Sequence, residues 1–185
     1  MKILKLKKLY NIMKSLFIFR RDFRLIDNNG LIEACKNSTK VLCVFIFTPE
    51  QVKNNEYFSD ASFQFLLESL QDLNEDIKKR LGSNLYLTFD TNIKALKQIK
   101  KDYDFQSVYF NEDYTPYARK RDDEIEDWCL KENIECFKIH DYLLAPMGTF
   151  LKKDNTYYGV YGPFRKITKG YKIDKPSSYK LDKKK

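Results

Sequence analysis

FRRDFRLIDN, Phe19 to Asn28, begins where the apolar run Ser15-Leu-Phe-Ile-Phe19 ends. Arg20, Arg21, Asp22, Arg24 and Asp27 crowd into the residues between. A short continuous apolar run bounded by polar residues suits a buried strand. In an open parallel sheet, ligands sit beyond the carboxyl ends of the strands, where strand order reverses. A charged exit from a first strand is therefore a candidate site, provided the rest of the chain builds such a sheet.

Working outward, apolar runs and amphipathic stretches alternate. Residues 28–37 have helical spacing, with Leu31, Ile32 and Cys35 on one face. VLCVFIF at 41–47 is apolar throughout, as a strand covered on both faces must be. Residues 60–80 read as a long helix with a stripe of Phe63, Leu66, Leu67, Leu70, Leu73 and Ile77, closed by Gly82. Residues 85–89 make a third strand, and a helix capped by Thr91 follows over 92–101. Residues 107–110 make a fourth strand. Pro116 opens a helix running to about Glu132, and 134–139 is the fifth strand. The pattern predicts an α/β fold: a Rossmann-like, doubly wound, five-stranded parallel sheet with helices on both faces, for which the common strand order 3-2-1-4-5 is expected. The crevice then lies between strands one and four. Its rims are Arg20-Arg21-Asp22-Phe23-Arg24 and Asn111-Glu112-Asp113-Tyr114.

Charge is unevenly spread. The chain of 185 residues carries a net +8. Residues 1–14 hold five lysines and no acid, and residues 152–185 hold eleven bases and three acids, so the body between them is mildly acidic. This divides the chain into a basic extension (1–13), an α/β body (14–150) and a linker-like basic tail (151–185). Both ends are expected to be solvated, and nucleic-acid binding by them to be weak, non-specific and salt-dependent. The 43% apolar content argues against a disordered chain.

Other sites are disfavoured. No G-x-G-x-x-G or Walker loop follows the first strand, and six glycines do not build a phosphate cradle. The single histidine, His140, is expected to be satisfied by backbone or Asp141. Without a second histidine or a cysteine cluster, no metal site is expected, and no catalytic residue stands out. Asp122-Asp123 and Glu126-Asp127 read as a solvated helix face. Cys35, Cys43, Cys129 and Cys136 form no C-x-x-C pair and suit a reducing compartment such as the cytoplasm. No apolar run is long enough to span a bilayer.

FRRDFRLIDNNGL at 19–31 resembles the opening motif of the DNA photolyases and cryptochromes. NEDYTPYARKRDDEI at 111–125 resembles that family's motif after the fourth strand. SFQFLLESLQDL at 62–73 is similar to its helix after strand two, and DYLLAP at 141–146 with YYGVYGPFRK at 157–166 to the stretch leading out of the domain. Four motifs in order, over about 15–166, make the resemblance specific.

The resemblance implies the family's antenna domain, which normally precedes a helical domain that holds FAD, the tryptophan relay and the DNA groove. Trp128 alone is no relay, so no FAD is expected on this chain and no repair by it alone; a separately encoded FAD-binding helical chain is the expected partner. The expected ligand is a light-harvesting pigment: a folate, a deazaflavin or a flavin. Arg20, Arg21, Asp22, Asn111, Glu112 and Asp113 are the expected polar contacts, and Phe47 and Tyr114 the expected ring contacts. Arg24 and Asp27, with Asp22, are expected to lock the loop through aspartate–arginine pairs. Ser62 stands where the family's second helix usually places an arginine near the chromophore, which disfavours a deazaflavin. Arg165 replaces a more usual aromatic, which suggests relaxed packing on a helical domain. The alternative is a stand-alone nucleotide- or flavin-binding module in electron transfer or signalling, which rests on fold analogy.

Overall fold

A computed structural model describes residues 13–53 and 55–181. The elements are β1 (Lys14–Phe19), α1 (Asn29–Asn37), β2 (Lys40–Phe47), α2 (Pro49–Val52), α3 (Asp60–Leu81), β3 (Tyr86–Phe89), α4 (Asn92–Tyr103), β4 (Ser107–Asn111), α5 (Pro116–Lys131), β5 (Glu135–Ile139) and α6 (Tyr161–Thr168). All strand pairs are parallel. The sheet order is β3-β2-β1-β4-β5, the common order expected for such a sheet.

Side chains alternate across a strand, so β1 feeds two cores. Leu16 and Ile18 join Val44, Ile46, Val108 and Phe110 beneath α4 and α5, which contribute Leu96, Ile99, Ile125 and Trp128. Phe17 and Phe19 face the other way, with Phe45 and Tyr109, beneath α1 and α3. Each fully buried Phe or Leu of this kind contributes about 1.5–3 kcal/mol. The central strands are thus fixed by burial on both faces, and the position of their exits is fixed with them.

The edges of the fold differ from expectation. Leu70, Leu73 and Ile77 of α3 are buried, Leu66 packs against the same core and Phe63 meets Phe47, but Leu67 of the expected stripe is exposed. β3 is an edge strand, and its Tyr86, Leu87 and Phe89 are exposed rather than covered. Gly82 takes the left-handed conformation (φ 68°) that ends α3 as predicted. Thr91 sits at the start of α4 but makes no side-chain capping bond. The short helices α2 and α6 were not legible as such.

The basic tail is not wholly solvated. Ser177 N donates to Asp27 Oδ1 at 2.6 Å, and Tyr179 and Leu181 pack against the core beneath α1 and α3. Asp27 holds a positive φ of 52° at this junction, a conformation Asp tolerates better than most residues. Of the expected basic extension, residues 1–12 lie outside the described residues; the Met13 carbonyl accepts from Thr39 N.

Candidate functional site

The β1 exit is held by amide and carboxylate bonds. Asp22 Oδ1 accepts from Arg20 N (2.8 Å), turning the chain at the strand end. Asn28 caps α1 by accepting from Leu31 N (3.1 Å), while its amide reaches Asp22. Asn111, at the end of β4, donates to Asp22 Oδ2 (2.5 Å) and Asn28 Oδ1 (2.9 Å) and accepts from Gly30 N (2.9 Å). All three side chains are buried. A buried network is stabilising only when its members are satisfied, and this one is. It fixes β1, β4 and the start of α1 relative to one another. A Cβ on Gly30 would stand 2.5 Å from Asn111 Oδ1 and 2.9 Å from Phe17, so only glycine fits here.

The arginines choose other partners than those expected. Asp27 pairs with none of them, because its carboxylate is taken by the Ser177 amide. Asp22 is taken by the network. Arg24 instead meets Asp141 at 2.7 Å and also donates to the Asp27 carbonyl. Arg21 meets Asp113 at 3.1 Å and lies 5.1 Å from the Tyr142 ring. Burial, with Asp22 nearby, pushes the Tyr142 phenol up to about 12. His140 faces Glu112 at 3.6 Å rather than Asp141.

Arg20 makes the deepest of these contacts. Its Nη1 lies 2.7 Å from Asp122 Oδ1, and its guanidinium sits 4.0 Å from the Phe110 ring centre. Arg121 Nε reaches the same Asp122 oxygen at 2.9 Å. Burial, and then the Arg121 charge, lower Arg20 to about 10, with Asp122 opposing. Asp122 is therefore no solvated acid: it is buried, on the inner side of α5. Its neighbours Asp123 and Glu126 do lie at the surface, where both meet Lys138.

Above this pair a cavity of about 250 Å³ opens at the ends of β1 and β2. Ile18, Phe19, Phe45 and Ile46 line its apolar part. Its polar walls are Arg20, Arg21 and Asp113, with Thr48, Gln51, Tyr117 and Arg121. Among the described residues, Arg20 Nη2, Arg121 Nη2 and, away from the cavity in the core, Trp128 Nε1 are buried without a hydrogen-bond partner, while Thr48 opens α2 with a capping box. Such atoms cost about 1–3 kcal/mol each when unsatisfied, more for charged groups. Two of them, on Arg20 and Arg121, belong to residues that line this cavity.

The expected site residues thus fall into groups. Arg20, Arg21 and Asp113 line the cavity. Asp22 and Asn111 stand behind it in the network, and Arg21 and Asp22 also line a wider trough on the α3 side. Glu112 and Tyr114 border a separate shallow depression with His140. Phe47 packs on Phe45 and Phe63 and does not line the cavity. Thr48, Gln51, Tyr117, Arg121 and Asp122 were missed. Thr48 directly follows β2, so its position as a strand exit was the available signal; Tyr117 and Arg121, four apart on α5, share a helix face. A second, wider trough of about 750 Å³ lies between the β1–α1 connection and α3, with Phe23, Arg24, Phe65 and Asp72 in its walls. Among the described residues no cluster suits a metal ion and no helix is long and apolar enough to cross a membrane.

The family model for DNA photolyase matches residues 15–179. The chain is 31% identical over 151 residues to the deoxyribodipyrimidine photo-lyase of Synechococcus sp., covering 82% of this chain and 31% of that protein. The corresponding enzyme of Alkalihalophilus pseudofirmus is 31% identical over 169 residues, covering 89% of this chain and 34% of that one. The archaeal photolyase of Sulfolobus tokodaii, whose crystal structure holds two FAD molecules, superposes with a TM-score of 0.80 at 34% identity, over 91% of this chain and 37% of that one. This chain spans about a third of the length of these relatives. With its motif order, its sheet order and these matches, the chain belongs to the DNA photolyase family and carries that family's Rossmann-like α/β domain.

Proposed function

We propose that this domain holds a light-harvesting pigment at the strand-end cavity and passes excitation to an FAD held by a helical photolyase domain. On this reading the domain collects light and does not itself reverse DNA lesions. The observation that carries it is the cavity at the ends of β1 and β2, with apolar residues on one side and orphaned buried donors on the other. It lies beyond the carboxyl ends of the strands, where open α/β sheets hold ligands, but is walled by the β2 exit as well as by the expected β1 and β4 exits. At about 250 Å³ it falls just under the usual range for small-molecule sites, so a pigment seats one end inside and leaves the remainder at the rim. Of a folate, a deazaflavin and a flavin, the flavin is favoured. The Sulfolobus tokodaii relative, with two FAD molecules and an implied novel light-harvesting cofactor, supports that choice.

The residues present fit such a group. Tyr117 offers ring surface, Arg21 is held in place by Asp113, and the Asp22–Asn28–Asn111 network keeps the exits rigid. The pigment would supply absorption in the near-ultraviolet or blue; the protein supplies position and excludes water. Incubating the purified full chain with riboflavin, FMN, FAD, folate or a deazaflavin, then removing free ligand, tests the reading. Retention of one pigment at one per chain is expected; loss of all of them overturns it.

A further inference from the structure

β3 ends the sheet on one side: it pairs with β2, and among the described residues no strand lies beyond it. Asp90 N donates to the carbonyl of Phe47, the residue in register with Phe89. Backbone groups alternate in direction along a strand, so Thr88 and Asp90 turn theirs toward β2. Leu87 and Phe89 then point their N–H and C=O groups out of the sheet. The side chains of both are about half exposed. A free apolar edge is a template for another strand, which proteins commonly blunt with lysine or proline in the strand or with a bulge. YLTF at 86–89 holds neither residue, and its register with β2 is unbroken. Its four residues offer only a short ladder, so affinity and choice of partner must also come from the side chains around it.

Those surroundings are positive. A trough of about 430 Å³ runs between β3 and α4, and Lys94, Lys97 and Lys101 line it from one face of the helix. Asp90 is the single acid in its walls, 4.0 Å from Lys94. Lys53 holds its ammonium group 5.2 Å from the Phe89 ring centre. Four lysines thus border the edge against one acid. A second copy of this chain, paired β3 to β3, would bring two such rows of like charge together. Neither end of the chain complements the row: residues 1–14 hold five lysines and no acid, and 152–185 eleven bases and three acids. We propose that β3 takes up an extended segment of another protein as a sixth strand, with acidic and apolar residues in alternation. Leu87 and Phe89 share the sheet face of Phe45 and Phe47, toward α3, and meet the apolar residues of that segment. Thr88 shares the face of Ile46, toward α4, where the carboxylates meet the lysines. The inference stands apart from the pigment reading, since the edge is separate from the strand-end cavity.

Two synthetic octapeptides test it, one alternating valine with glutamate and the other valine with lysine. Each is titrated against the full chain at neutral pH, with amide hydrogen exchange followed at Leu87 and Phe89. The glutamate peptide is expected to bind about 10-fold more tightly, as charge pairing with several exposed lysines implies, and to slow exchange at both amides. High salt should erase the preference. Lys97→Gln combined with Lys101→Gln, both on the exposed face of α4, should remove it without unfolding the chain. Leu87→Pro takes away an outward donor and should abolish binding of either peptide; the lysine variant decides the matter if that chain does not fold. Equal binding of the two peptides, binding of neither, unprotected Leu87 and Phe89 amides, or a preference unchanged in the lysine variant each overturns the proposal. A dimer in sedimentation that Leu87→Pro dissolves gives the edge to a second copy and overturns it as well.

Discussion

Arg20 Nη1 and Asp122 Oδ1 lie 2.7 Å apart, joining the exit of β1 to the inner face of α5, with both side chains nearly fully buried. The same carboxylate holds Arg121. Removing its charge leaves two guanidinium groups facing each other in a low-dielectric site. Asp122→Asn is expected to destabilise the domain by about 3–5 kcal/mol, the usual cost of breaking a buried pair from one side. Urea denaturation measures it. A loss under 1 kcal/mol would show that the pair is solvated and the cavity open.

Gly30 tests the network behind the site. Gly30→Ala places a methyl group against Asn111 and Phe17, neither of which has room to retreat. Overpacking of this kind costs about 1–3 kcal/mol. Thermal melting should show the loss, and Gly159→Ala, where a Cβ meets nothing within 4 Å, should not.

The Tyr142 phenol is pushed up to about 12 by burial and by Asp22. The folded state then keeps a proton that the unfolded chain releases near pH 10. Stability from this group is complete below about pH 10 and falls as pH rises toward 12, since the folded state binds more protons in that window. Tyr142→Phe should flatten that part of the stability–pH curve, measured by urea denaturation at stepped pH. A curve of unchanged slope would place the phenol in solvent.

Thiol labelling reads the β5 side of the fold. A hydrogen bond from Cys129 lowers the Cys136 thiol and raises that of Cys129, while burial pushes Cys43 up to about 12. Thiolate is the reactive form. In native protein at pH 8, Cys136 is expected to react with iodoacetamide well before Cys43 and Cys129. Labelling of Cys43 first would contradict the packing of β2 beneath α1 and α3.

The sheet was legible in the chain because each central strand is a short apolar run between turn residues, and burial on both faces leaves no alternative. The strand order was expected only as the common one for such a sheet, and the structure has it. What pattern does not reveal is pairing across distance. Asp122 sits in a run of acids that looks solvated, and only the fold shows that it turns inward to Arg20. Asn111 was read as a ligand contact; its position at a strand exit was right, but its amide serves Asp22, Asn28 and Gly30. The tail looked like a solvated linker because lysines dominate it, yet Tyr179 and Leu181 dock on the core.

Backbone amide chemical shifts, followed while the full chain is titrated with FMN, locate the ligand most directly. The account predicts perturbations centred on Ile18 to Arg21, Thr48 and the first turns of α5 around Tyr117 and Arg121. Perturbations confined to the trough between Phe23 and Phe65, or none at saturating FMN, would contradict it.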